Sequence, residues 1–406
     1  MITIEEARRL VLAEAAALQP EELAVAETLG RVLARDVVAP HAIPPFDNSA
    51  MDGFAVRAAD TTGAGEKPIR LRISETVPAG HVARLELNAG EAVKIMTGAP
   101  MPRGADAVVE VESTEADGDH VLICRQVDVG TSVRFAGEDV RAGDTVLHAG
   151  DVVGPAEIGL AASMGQPVLL VHRRPRVAIV STGSELVEID QSIAPGQIRN
   201  SNSYSMQAQC REVGIDAERL GIAPDERGAT RRLLEKGLGY DVLITSGGVS
   251  VGEFDFVKDV QDELGVERKL WQVAMKPGKP LVFGVRGGCL VFGVPGNPVA
   301  AMVSFELFVR PALLTMMGHR KVLRPTYRAI IEEDLPNRHG RVQVVRVRAR
   351  RVGDRWYATS TGPQGSGILR SMVNADGLVF VPADTHGIKA GDEVEMTLLR
   401  DEAREA

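Results

Sequence analysis

The sequence predicts an α/β multidomain protein built around a doubly wound sheet, with β-rich segments before and after it. Three observations lead there. Between residues 174 and 317, short and wholly apolar runs alternate with helical segments; strands that are apolar on both faces belong in a parallel sheet covered on both sides. Across residues 54–147, and again from residue 324 onward, Val, Ile and Thr alternate with polar residues while Gly and Pro interrupt often, as in small β-domains. At the start, Thr3-Ile4-Glu5-Glu6 has the spacing of a capping box ahead of an Ala- and Leu-rich run, which sets a helix there.

Taken in order, the first helix runs through residues 7–18 and a second short helix is expected near residues 22–33. The chain then turns extended at Pro40, Pro44 and Pro45. A short helix is expected within residues 151–165, with Pro155 in its first turn. Three buried strands follow, at residues 177–180, 242–245 and 290–294. Each is followed by a loop of small or rigid residues: Ser181-Thr182-Gly183, Ser246-Gly247-Gly248 and Pro295-Gly296-Asn297-Pro298. Helices are expected at residues 203–213 and 229–236, closed by Gly214 and Gly237, and from residue 298 to 317. Right-handed crossovers gather the loops at the carboxyl edge of the sheet, where such folds bind ligands. Residues 342–352 alternate as a strand and end in a Gly353-Asp354 turn.

Composition narrows the function. A chain of 406 residues is too long for one compact core, and 44% hydrophobic with 25% charged residues is ordinary for a globular protein. No apolar run approaches the ~18 residues of a membrane helix. Residues 1–6 lack a basic and an apolar region of the secretory kind, so the cytoplasm is expected. Cys124, Cys210 and Cys289 are far apart and read as isolated thiols; no zinc-type histidine spacing exists. A net charge of −9 argues against a broad nucleic-acid surface, although a few lysines and backbone amides can hold an anion against the overall field. There is no GxSxG, Walker A or nucleotide-type GxGxxG motif.

The candidate chemistry lies in the loops. Ser246 to Asp255, including Ser250, follows a strand and enters a helix; its glycines allow close backbone approach and its amides attract phosphate. The prolines of Pro295-Gly296-Asn297-Pro298 make a rigid wall. In Lys276-Pro277-Gly278-Lys279-Pro280 two ammonium groups can face one point, which suits an oxyanion. Glu185, Asp225 and Asp255 sit after strand ends, and hard oxygen ligands near a phosphate site hold Mg²⁺; each alone could equally be a helix-capping acid. Asp52, Thr97, and Arg134 with Asp139 lie in small polar loops of the preceding β-rich region.

These residues fall in longer motifs: FDNSAMDGFA from Phe46, IMTGAPMPRGADAVV from Ile95, GEDV from Gly137, RPRVAIVSTGSEL from Arg174, SGGVSVGEFD from Ser246, MKPGKP from Met275, GVPGNPVA from Gly293 and QGSG from Gln364. In this order, over nearly the whole chain, the set resembles the molybdopterin molybdenumtransferase family, the MoeA-type enzymes that include the E-domain of gephyrin. The resemblance implies four domains, placed here at residues 1–53 with 138–173 (helical and extended), 54–137 (an inserted β-rich domain), 174–320 (molybdopterin-binding, α/β) and 321–406 (β-barrel-like).

It also implies a homodimer whose active sites are shared between subunits, and a reaction that takes adenylylated molybdopterin and molybdate, needs Mg²⁺, releases AMP and forms molybdenum cofactor. In that frame Lys276 and Lys279 meet molybdate or the pterin phosphate. Glu185, Asp225 and Asp255 serve Mg²⁺ and orientation, and the loop from Ser246 to Ser250 cradles phosphate. Asp52, Thr97, Arg134 and Asp139 come from the other subunit. A molybdopterin adenylyltransferase and cofactor-accepting enzymes are the implied partners, with no nucleic acid and no membrane. The sequence departs from the family pattern at Phe54 (commonly Tyr), Ser184 and Asn200 (commonly Asp) and Pro224 (commonly acidic), which thins the acidic cluster. A tungstate-inserting relative, a molybdopterin-adenylylating enzyme and a non-catalytic scaffold are the competing readings.

Overall fold

The computed structural model describes residues 1–248, 256–338 and 340–400. Helix α1 (Ile4–Glu14) begins at the expected capping box: the Thr3 hydroxyl accepts the Glu6 N–H at 3.1 Å and the Glu6 carboxylate accepts the Thr3 N–H at 2.9 Å. Its buried face, Ile4, Ala7 and Val11, enters the same core as Val177, Ile179, Phe305 and Phe308. Burial of Ile4 and Val11 contributes about 2 kcal/mol each, which docks α1 onto the α/β portion of the molecule.

The helix expected near residues 22–33 is not there. Pro20–Ala24 is a strand, paired antiparallel with Val168–His172 from Pro20↔His172 to Ala24↔Val168, and only the short 3-10 turn Val25–Glu27 is helical. The reason is long-range: a ladder with a distant strand satisfies this backbone and outweighs weak local helix preference. Gly30, at φ +71°, then supplies a turn that a helix would not tolerate cheaply.

The inserted β-rich unit is a six-stranded sheet in the order Ala107–Glu110, Gly53–Val56, Glu91–Ile95, Ile69–Val77, His120–Ile123, Thr114–Asp117. Phe54 sits in its core, 7% exposed, so the missing phenol leaves the ring in apolar surroundings.

The central sheet consists of β1 (Val177–Thr182), β2 (Glu218–Ala223), β3 (Val242–Ser246), β4 (Glu267–Trp271), β5 (Val282–Arg286) and β6 (Cys289–Val294) in the order β2-β1-β3-β6-β5-β4. The first four in that order are parallel, but β5 pairs antiparallel with β6 and β4 pairs antiparallel with β5, so the expected parallel sheet is mixed. Helices Asn202–Glu212 and Arg227–Gly237 lie close to the expected positions. The expected long helix after β6 is a rod, Pro298–Met316, interrupted by a π-helical stretch at Phe305–Val309. By length and composition it could cross a membrane, contrary to the sequence expectation, but 83% of it is buried inside the protein; its apolarity serves the core. Beyond it, Val342–Val352, Arg355–Ser360, Thr326–Ile331, Glu393–Leu398 and Gly377–Val381 form a sheet that closes on itself through the pairing of its first and last strands, a small barrel.

One ion pair ties the extended N-terminal portion to the central sheet. Asp241, just ahead of β3, accepts two bonds from the Arg173 guanidinium, at 2.7 and 2.9 Å, and the Arg176 N–H at 2.7 Å. Burial opposes ionisation of Asp241, yet these hydrogen bonds together outweigh it and hold the carboxyl well below the usual range. A depressed carboxylate stabilises the fold above its unfolded pKa. That contribution is therefore present above about pH 4 and is lost as pH falls below it. Asp241→Asn is expected to lower unfolding stability at neutral pH by about 2 kcal/mol and to flatten the acid limb of the urea-midpoint-against-pH curve; an unchanged limb would assign the acid sensitivity elsewhere.

Candidate active site

At the carboxyl edge of β1, β3 and β6 the expected loops converge on a cavity of about 740 Å³. Thr182 and Gly183 line it, as do Ser246, Gly247 and Gly248, and Pro295, Gly296, Asn297 and Pro298. The loops are packed backbone against backbone. The Gly247 N–H donates to the Val294 carbonyl at 3.1 Å, and Gly247 and Gly248 take φ of +90° and +68°. A Cβ on Gly247 would lie 2.7 Å from the Thr182 carbonyl oxygen, and one on Gly248 would lie 2.1 Å from the Val257 side chain. Glycine is therefore required for both conformation and space.

Side chains stitch these loops together. Asn202 donates through Nδ2 to Ser246 Oγ at 2.7 Å and to the Gly296 carbonyl at 2.7 Å, and Thr182 Oγ1 donates to the Ser246 carbonyl at 3.3 Å. Ser181 is buried and does not border the cavity; its Oγ donates to Asn200 Oδ1 at 2.8 Å. Glu185 and Asp225 both border the cavity. The Glu185 carboxylate folds back over Gly183, whose Cβ, if present, would be 2.5 Å from Oε2. Asp225 is fixed by exchange with Ser184: its carboxylate accepts the Ser184 N–H at 3.0 Å, and its own N–H donates to Ser184 Oγ at 2.9 Å. Ser184 thus acts as a small brace for Asp225.

Lys276 and Lys279 are half-buried on either side of buried Pro277 and Gly278, and the next residue, Pro280, borders the cavity. Gly278, at φ +100°, packs where a Cβ would strike the Met275 side chain at 2.3 Å, so the segment is held tightly. The opposite lip comes from the barrel. Gly367 borders the cavity, and the Val299 N–H donates to the Ser366 carbonyl at 3.1 Å. Behind this lip the Arg346 guanidinium is wholly buried and donates to Ser371 Oγ, the Val344 carbonyl and the Gly365 carbonyl; burial pulls it down to about 10.

The remaining expected residues form a separate group. Asp52 accepts both the N–H and the hydroxyl of Thr97, at 2.7 and 2.8 Å, and these bonds hold its carboxyl below the usual range. Arg134 pairs with Asn48 in a two-residue ladder, and Asp139 follows on the same loop. All four are exposed and none borders the cavity. Ser250 and Asp255 lie outside the described residues.

The family profile of the MoeA N-terminal region (domain I and II) matches residues 2–165. A probable molybdopterin binding domain matches residues 178–315, and the MoeA C-terminal region (domain IV) matches residues 328–399. Molybdopterin molybdenumtransferase 2 of Mycobacterium tuberculosis is 40% identical over 98% of this chain and 99% of its own length. The chain belongs to the MoeA family of molybdopterin molybdenumtransferases. Molybdopterin molybdenumtransferase of Bacillus subtilis is 36% identical over 99% of this chain and 95% of its own. The crystal structure of the molybdopterin biosynthesis moeA protein from Pyrococcus horikosii superposes with a TM-score of 0.86 at 33% identity, covering 99% of this chain and all of that one. The MoeA fold expected from the motifs is the fold observed.

Sequence reading missed Arg199, Asn202 and Gly367 as cavity residues and named Asn200 only as a departure from the family pattern. A signal existed for Arg199 and Asn202: Arg199-Asn-Ser-Asn202 is a wholly polar run that leads into the helix Asn202–Glu212.

Proposed function

We propose that the chain transfers molybdenum from molybdate to the dithiolene of adenylylated molybdopterin, releasing AMP. The observation that carries this is a cavity at the sheet edge of a MoeA fold where glycine-loop backbone and two carboxylates meet Pro280 of the lysine-bearing segment, the two lysines themselves lying just outside its lining. The Ser246-Gly247-Gly248 backbone suits a phosphate. Lys276 and Lys279 act as point charges for an oxyanion, and Asn202 keeps the Ser246 and Gly296 loops at fixed separation.

Glu185 and Asp225 fit Mg²⁺, which takes one or two carboxylates and leaves its other positions to water and phosphate. No group of three His, Cys, Asp or Glu ligands exists among the described residues, and Asp255, the third expected acid, lies outside them. A bound Mg²⁺ would neutralise charge developing on the leaving phosphate. The exposed group around Asp52, Thr97, Arg134 and Asp139, rimmed by exposed Phe46, Met51 and Phe135, suits a homodimer in which each subunit completes the other's cavity. The proposed setting is the cytoplasm, between an adenylyltransferase that supplies the activated pterin and enzymes that accept the finished cofactor.

The test is AMP release from adenylylated molybdopterin with Mg²⁺, with and without molybdate. Molybdate-dependent release supports insertion; bound pterin with no AMP under any oxyanion would point to a carrier. Lys279→Ala is expected to raise the molybdate KM about tenfold or more with the thermal midpoint unchanged. Unaltered activity at limiting molybdate would remove Lys279 from the oxyanion site.

A further inference from the structure

Most of the cavity wall is backbone and polar side chain. Among the described residues that border it, prolines aside, Leu186 and Ile198 carry the only aliphatic side chains. They are also register partners, Leu186↔Ile198, in a short parallel ladder that continues to Val187↔Arg199. Paired residues on neighbouring strands project from the same face, and the next residue along each strand from the other. Leu186 and Ile198 therefore stand side by side at the cavity, while Val187 turns inward and is buried. The ladder is pinned at both steps. The Ile198 N–H donates to the Glu185 carbonyl at 2.8 Å, and the Asn200 N–H to the Val187 carbonyl at 2.9 Å. The Arg199 guanidinium donates to the Ile189 and Gln191 carbonyls at 3.0 and 3.3 Å, which closes the loop behind the pair. Ile198 is nonetheless 55% exposed. A lone exposed isoleucine is ordinary, and Ile189 and Ile193 on the same loop are two such residues, exposed but not bordering the cavity. An apolar pair held side by side in a polar ligand cavity is not ordinary.

We propose that Leu186 and Ile198 form a ring-binding shelf, on which one flat heterocycle of the substrate, its adenine or its pterin, lies face-on. This rests on the adenylylated-molybdopterin reading above and deepens it. Glycine-loop amides suit phosphate but offer nothing to the face of a ring, which is bound by apolar contact. The shelf supplies that contact, and the bond from Ile198 to the Glu185 carbonyl sets the ring at a fixed place relative to the carboxylate-bearing loop. The competing role is an ordinary loop residue that happens to lie at the rim. Ile198→Ala removes the outer half of the shelf, and Ile198→Met keeps an apolar surface of similar volume. Because Ile198 is exposed, neither change disturbs the core.

The experiment is calorimetric binding of AMP, ribose 5-phosphate and, under anaerobic conditions, molybdopterin to the full chain and its variants, with urea midpoints alongside. Ribose 5-phosphate has the sugar and phosphate of AMP without the ring. Ile189→Ala, on the same loop but away from the cavity, is the control. The expected result is a loss of about tenfold in Ile198→Ala for AMP or for molybdopterin, the same at low and high salt because apolar contact is not screened. Ribose 5-phosphate binding and the midpoints stay unchanged, Ile198→Met binds within about twofold of wild type, and Ile189→Ala binds as wild type. A loss for AMP places the adenine on the shelf, and a loss for molybdopterin places the pterin there. Wild-type affinity for both in Ile198→Ala, or an equal loss for ribose 5-phosphate, overturns the proposal and leaves Ile198 a loop residue. A wild-type chain that binds neither AMP nor molybdopterin would instead overturn the underlying reading of the cavity.

Discussion

Mixing an Asp52→Ala chain with a Glu185→Ala chain is expected to recover about a quarter of wild-type activity from two proteins that are each inactive. Glu185 borders the cavity, whereas Asp52 lies on the exposed group that does not. If a working site takes its cavity from one subunit and its Asp52 group from the other, every site in either homodimer is broken. A heterodimer holds one intact site and one doubly broken site. With random exchange about half the dimers are mixed, and half of their sites work. The measurement is molybdate-dependent AMP release before and after exchange, with heterodimers counted by native mass spectrometry. Heterodimers without recovery would mean that each site is built within one chain. The bonds from Thr97 to Asp52 make this a sharp test, since they fix the carboxylate before any partner arrives.

Gly247→Ala is expected to remove substrate binding almost entirely, by a hundredfold or more, on the order of 3 kcal/mol. The residue sits at φ +90° with the Thr182 carbonyl oxygen and Oγ1 at 2.7 and 2.8 Å from the position of a new Cβ. Conformational strain costs about 1–2 kcal/mol and overpacking about 1–3 kcal/mol. The loop can escape only by pulling away from Thr182, which opens the cavity. Gly63→Ala is the matched control, because its φ is +85° but its Cβ would meet nothing within 4 Å. If Gly247→Ala loses only the stability that Gly63→Ala loses, and still binds molybdopterin normally, the close approach at Gly247 has no bearing on the ligand.

What the sequence disclosed follows from the range of the forces involved. β1, β3 and β6 were legible because their apolar runs are buried on both faces and end in glycine- or proline-rich loops. The capping box of α1 was legible because all its partners lie within one turn. The helix expected near residues 22–33 was misread because its first residues belong to the strand Pro20–Ala24, whose partner, Val168–His172, is far away in the chain. The antiparallel edge β5 and β4 carried no sign of direction that the apolar pattern could express. Asn202 escaped notice, and Asn200 was named only as a departure from the family pattern, for a related reason. Their importance comes from neighbours at Ser181, Ser246 and Gly296, which no local pattern brings together. Asp52 and Thr97 were named from their motifs, and the structure adds the bonds that join them.

The contact between Ser366 and the N-terminal turn of the rod at Val299 bears on synthesis. The central sheet and its glycine loops are all translated by residue 298, so that much can collapse while the ribosome is still working. The lip that includes Gly367 cannot be in place until the barrel strands on either side of it have emerged. A nascent or prematurely terminated chain would thus carry the glycine loops with one wall of their cavity missing, and the cavity would be complete only once translation is almost finished.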